Sequence, residues 1–258
     1  MAPPSPDQIY RAQQSLTRRL VAAIAPVLAP LLGVRKSAKL NRAIARAVYP
    51  YVQSGRKTSR DLARLVYVQA KANWNSDASP IEEPRIRDYP IEALEKAVSD
   101  AMAVNPTDRI EDADLERVAA AADSHVRNAY RNQSLAYVHN DNDIVGWARV
   151  DPYPPTCELC RLLISRGPVY KTARSAGERN KYHTGCTCVP QLVFKGQEDS
   201  WPGREIYLAE RERYEKATRG LSGKDARRAW RKAVDRANSP RSVQERESQE
   251  HDRKSLPE

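Results

Sequence analysis

Two short segments, Cys157-Glu-Leu-Cys160 and His183-Thr-Gly-Cys186-Thr-Cys188, contain every cysteine of this 258-residue chain. Thiolate and imidazole donors in two tight groups are what a tetrahedral zinc ion requires, each turn offering two ligands to one centre. The expected ligands are Cys157, Cys160, His183 and Cys186, with Cys188 as the alternative to His183. The expected cofactor is therefore structural Zn2+, stapling two stretches separated by twenty-two residues. A metal-free reading makes these cysteines reduced core residues, or disulfides formed outside the cell. A nucleophilic reading pairs one thiol with His183 as base, but a zinc-bound thiol attacks poorly and no group that would orient the imidazole is legible. No H-N-H-like arrangement, Walker loop, Rossmann glycine pattern or G-x-S-x-G accompanies the cluster. His125 and His139 lie outside it.

The elements that must position these residues follow from hydrophobic period. Residues 7–25 carry apolar side chains at helical spacing up to Pro26, and Leu40, Ile44, Val48 and Val52 form a second stripe expected to stop at Ser54-Gly55. Thr58 would cap a further helix. Residues 73–90 read as a linker or long loop, followed by helices over about 90–103 and 112–139. Alternation around Trp147 predicts a strand from Ile144 to Val150, and a second strand runs from Cys188 to Phe194. A short helix is expected at Leu162–Ile164, and two charged helices follow Trp201-Pro202-Gly203 and Ser222.

The resulting fold class is α+β, mainly α. It comprises a helical domain over residues 1–140, a zinc-stapled β-rich module over 141–200, a basic helical extension over 201–238 and a disordered tail over 239–258. A module of some fifty residues buries too little core to stand without a staple. Cysteines confined to one cluster argue for folding in a reducing compartment. The apolar run Leu20–Val34 is interrupted by Pro26 and Pro30 and falls short of the roughly 20 residues a membrane span needs. No membrane contact is expected. The net charge of +10 is uneven: residues 1–60 hold eleven Lys/Arg against the single acid Asp7, whereas 77–123 hold five bases and thirteen acids. Such a basic end is suited to nucleic acid or to an acidic protein surface.

The series Gly146-Trp-Ala-Arg149, Asp151, Cys157-x2-Cys160, Gly167-Pro-Val-Tyr170 and His183-x2-Cys186-x-Cys188 resembles the MuF-like minor capsid proteins of tailed phages. That family places a C-x2-C segment before a Gly-x-Val-aromatic segment and a terminal His-Pro-Asn-Cys-Arg-Cys. Here Thr184-Gly185 and Thr187 replace Pro-Asn and Arg, and the metal positions are intact. The chain is also similar to actinobacterial-phage proteins labelled capsid maturation proteases.

The resemblance implies a head-morphogenesis protein acting near the portal during procapsid assembly. Its expected partners are the portal, scaffold and major capsid proteins, with packaged DNA meeting the basic N-terminal region. Its expected location is the virion, at the capsid interior or portal, with host cytoplasm as the site of assembly. A non-enzymatic role is preferred because no catalytic set stands beside the structural one. The alternative is a capsid maturation protease using Cys188, or Ser134 with His125 or His139. A third class is a zinc-module DNA-binding protein, against which the acidic middle and the lack of a basic recognition helix argue.

Overall fold

Ser5 starts the first helix with a reciprocal cap: its hydroxyl accepts from the Gln8 backbone while the Gln8 side chain accepts from the Ser5 N–H. The computed structural model describes residues 3–153, 157–170 and 184–239. Helix α1 spans Pro6–Leu28 and ends in a 3-10 turn at Ala29–Leu31. Helices α2 (Ala38–Trp74), α3 (Ile91–Ala103) and α4 (Asp112–Asn140) complete the N-terminal bundle. Leu20, Ile24 and Leu28 of α1 bury against Val48 and Val52 of α2, Val98 of α3 and Val118 and Val126 of α4. Each such side chain contributes roughly 1.5–3 kcal/mol relative to exposure.

Two expected breaks are absent. Helix α1 continues past Pro26, because a proline in the last turn removes a single intrahelical hydrogen bond while Leu28 still gains a buried site. The stop predicted at Ser54-Gly55 does not occur either, and α2 runs unbroken for 37 residues. Thr58, expected as a cap, instead donates to the Ser54 carbonyl inside the helix. Gly55 is there for packing: a Cβ at this position would lie 2.9 Å from Val126 Cγ2, so its absence lets α2 and α4 approach closely. Gly55→Val should cost about 1–3 kcal/mol by overpacking, measurable by urea denaturation, and Val126→Ala should restore part of the loss.

Strand β1 (Ile144–Val150) pairs antiparallel with β2 (Val189–Phe194), Val150 opposite Val189 and Ile144 opposite Phe194, with an irregularity between Ile144 and Gly146. On its other side β1 meets the Gly167–Tyr170 segment. The Trp147 N–H donates to the Tyr170 carbonyl at 3.0 Å, and a Cβ on Gly146 would sit 2.6 Å from the Pro168 carbonyl oxygen. The Gly-Trp and Gly-x-Val-aromatic segments noted in the sequence are thus neighbours in space. Helix α5 (Glu158–Ile164) lies between the strands in sequence, and α6 (Arg204–Thr218) and α7 (Gly223–Ala237) follow them.

The architecture is α+β and mainly helical, as the sequence pattern predicts, with a two-stranded sheet. The sheet shares its core with the bundle: Trp147, Leu192 and Phe194 pack with Tyr67 and Ala70 of α2 and Tyr137 of α4. The expected tail from residue 240 onward lies outside the described residues. Among the described residues no helix is long and apolar enough to cross a membrane.

Candidate metal centre

Cys160, Cys186 and Cys188 come together from the first turn of α5 and the segment entering β2, their sulfurs all within 4.8 Å of one another and all buried. Cys157 is the N-cap of α5, half-buried and packed against this group. His183 lies outside the described residues. Of the expected ligands, therefore, the fold joins Cys160 to Cys186 and places the alternative, Cys188, beside both. None of the cysteines forms a disulfide. The Cys160 and Cys186 sulfurs are 3.6 Å apart. Two thiolates about 2.3 Å from one tetrahedral ion lie about 3.8 Å apart, so the spacing fits a shared metal.

The surroundings favour charge on one of the three sulfurs. Cys186 is held well below the usual thiol range by hydrogen bonds from Cys160 and Cys188, with the Arg131 guanidinium adding attraction. Cys160 and Cys188 are pushed upward because each keeps its proton to donate to a neighbouring sulfur. A divalent ion would replace those shared protons, as metal binding to thiols releases them. The chemistry it supplies is cross-linking, with three soft donors presented in a dry site.

Side chains distant in sequence hold the turns in place. Arg131 of α4, only 1% exposed, donates to the Cys186 carbonyl at 2.6 Å and to the Cys188 carbonyl at 3.1 and 3.2 Å. Asp151, just after β1, accepts from the Thr187 hydroxyl, from the Tyr153 N–H at 3.1 Å and from the Cys188 thiol at 3.7 Å. Burial pushes the Asp151 carboxyl up to about 6, although the Thr187 and Tyr153 bonds favour its ionised form. Behind α5, the buried Arg161 guanidinium forms two hydrogen bonds with Glu210 of α6, at 2.9 and 3.0 Å. Trp230 of α7 donates to the Glu158 carbonyl at 3.1 Å. The C-terminal helices thereby brace the cysteine-bearing helix. Arg131 and Glu210 carry no signal in local sequence, because a buried charge on a charged helix looks like a surface one.

The other residues weighed for chemistry sit apart. The Ser134 hydroxyl is buried and donates to the Tyr130 carbonyl one turn earlier in α4. His125 and His139 are nine and five residues away on that helix, about 13 and 8 Å along its axis. His125 packs against Tyr89, and burial with the nearby Arg56 charge pushes its imidazole down to about 4. Protons therefore bind the unfolded chain more readily than the folded one between about pH 6.5 and 4. Stability present above pH 6.5 should be lost as pH falls through that window, by up to about 3 kcal/mol. His125→Gln should flatten this part of the pH dependence in denaturant titrations.

Residues 2–217 match the family model described as VG15 protein. The chain is similar to the Gene 15 protein of Mycobacterium phage L5, 30% identical over 36% of this chain and 44% of the relative. It is also similar to the Gene 15 protein of Mycobacterium phage D29, 31% identical over 35% of this chain and 43% of the relative. The aligned region spans less than half the length of these curated relatives. No solved structure matches the chain.

Proposed function

Since this chain belongs to the VG15 protein family, we propose that it is a phage head-morphogenesis protein of the virion, a minor capsid component whose zinc-stapled module is a contact unit near the portal. The mycobacteriophage relatives support a phage role. The observation that carries the contact reading is the buried Cys160–Cys186–Cys188 group, its backbone tethered to α4 by Arg131. A buried set of three thiols with a fourth thiol, Cys157, packed against it suits a structural ion, since a catalytic ion keeps a position open. Cys157 and His183 are the candidates for the fourth ligand. Leu159 and Val169, close in sequence to the ligand turns, expose about half of their surface and offer apolar contact to a partner. The role is non-enzymatic on this reading, with portal, scaffold or major capsid protein as the partner.

The test is coexpression of the tagged chain with each of those proteins from the same phage, followed by copurification. A partner should be retained by the wild type and lost from Leu159→Asp/Val169→Asp at unchanged thermal stability. Absence of any copurified partner, or cleavage of scaffold or shell protein by the wild type, would overturn the reading.

A further inference from the structure

Midway along α2, Arg56, Lys57 and Arg60 face a cleft of about 640 Å³ whose opposite wall is Arg87, Asp88 and Tyr89 from the segment between α2 and α3. The three α2 residues stand at i, i+1 and i+4, so consecutive turns bring their charges to one stripe. Elsewhere on the same helix the basic side chains Arg46 and Arg64 meet Glu95 and Glu83. Arg56, Lys57, Arg60 and Arg87 pair with no carboxylate of the described residues. Four cations thus surround one cleft against the single acid Asp88.

Arg56 sets this cleft apart from a solvated helix face. It is 9% exposed, its guanidinium lies 4.0 Å from the centre of the Tyr89 ring, and it donates to the His125 carbonyl at 2.7 Å. Tyr89 is held in turn by Tyr49, whose hydroxyl donates to the Tyr89 carbonyl at 2.6 Å. Burying a guanidinium without a counter-charge is costly, and burial lowers the pKa of Arg56 accordingly. An incoming anion would relieve that cost. A lone carboxylate neutralises one of four cations. A polymer with a charge about every 3.4 Å along its strand neutralises several at once.

We propose that this cleft binds the phosphodiester backbone of a nucleic acid, with Arg56 at its floor and Lys57, Arg60 and Arg87 along its rim. The contact is to backbone and carries no base readout. It is independent of the role assigned to the cysteines and goes beyond it.

The test is fluorescence anisotropy of the full chain with a labelled oligonucleotide, single-stranded and duplex, across a salt series. The variant Lys57→Gln/Arg60→Gln/Arg87→Gln spares the buried Arg56. It should bind at least about tenfold more weakly at low salt, with the slope of log affinity against log salt reduced by about 2 to 3. A control, Lys224→Gln/Arg227→Gln, removes two exposed charges on α7 and should change affinity less than about twofold if the cleft is the site. Thermal melts confirm that both variants remain folded. The proposal is overturned if the wild type binds neither form, if the triple variant binds as the wild type does, or if the control loses as much. An acidic peptide that displaces the oligonucleotide at equal charge concentration would reassign the cleft to a protein partner and overturn it as well.

Discussion

A Cys186→Ser chain is expected to emerge from purification without metal, and the wild type with about one equivalent of zinc. The Cys186 sulfur lies 3.6 Å from that of Cys160, and Cys186 is the thiol whose charge the surroundings favour. In isolated zinc fingers the ion contributes roughly 10–16 kcal/mol of apparent folding energy. Here the strands also share a core with the bundle, so the expected result is local: the turns and α5 loosen while the bundle stays folded. Hydrogen exchange should show protection lost over residues 157–170 and 184–194 and kept in α2 and α4. Elemental analysis should show the same metal loss for Cys160→Ser and Cys188→Ser. Cys157→Ser and His183→Ala distinguish the fourth ligand, since only the variant that removes a ligand should weaken zinc retention. If Cys186→Ser retained zinc in full and melted as the wild type does, the centre would not exist as described.

The second large effect lies at the junction of bundle and sheet. Lys71, 2% exposed near the end of α2, places its ammonium 2.8 and 2.9 Å from the two oxygens of Asp141 and 2.8 Å from Asp143. Tyr67 donates to Asp141 at 2.8 Å, and its hydroxyl accepts from the Ile81 N–H at 3.0 Å. This knot fixes the turn that launches β1 from the end of α4. Lys71→Met would leave the Asp141 carboxylate buried beside a thioether, a loss of about 3–5 kcal/mol. At this chain length that corresponds to a fall in Tm of roughly 6–20 °C. Adding Asp141→Asn removes the stranded charge while keeping an acceptor for Tyr67, and should recover a large part of the loss. A Lys71→Met protein within about 1 kcal/mol of the wild type would show that the ion cluster is dispensable.

Local pattern accounts for much of this architecture. Alternation around Trp147 delimits β1 at Ile144–Val150, its observed bounds, and α3 and α4 begin and end within a residue or so of their apolar periods. These elements were legible because a face that must be buried repeats at a fixed spacing whatever it packs against. The same reasoning failed at Ser54-Gly55, where a turn signal sits inside α2. A glycine chosen so that two helices can touch is written identically to one chosen for a turn, and only Val126 of α4 separates the two.

Residue types and spacing alone marked out the cysteine segments as the place for a soft metal, and the uneven charge marked the first sixty residues as basic. The tertiary structure alone decided which sulfurs face one another, because that depends on Arg131 reaching the carbonyls of Cys186 and Cys188 from a helix 55 residues earlier in the chain. It likewise gathered Arg87 onto the α2 stripe to close a cleft, and set Lys71 against Asp141 across seventy residues. Periodicity records what each segment must bury, whereas the pairing of charges and donors between distant segments is settled only when the chain packs.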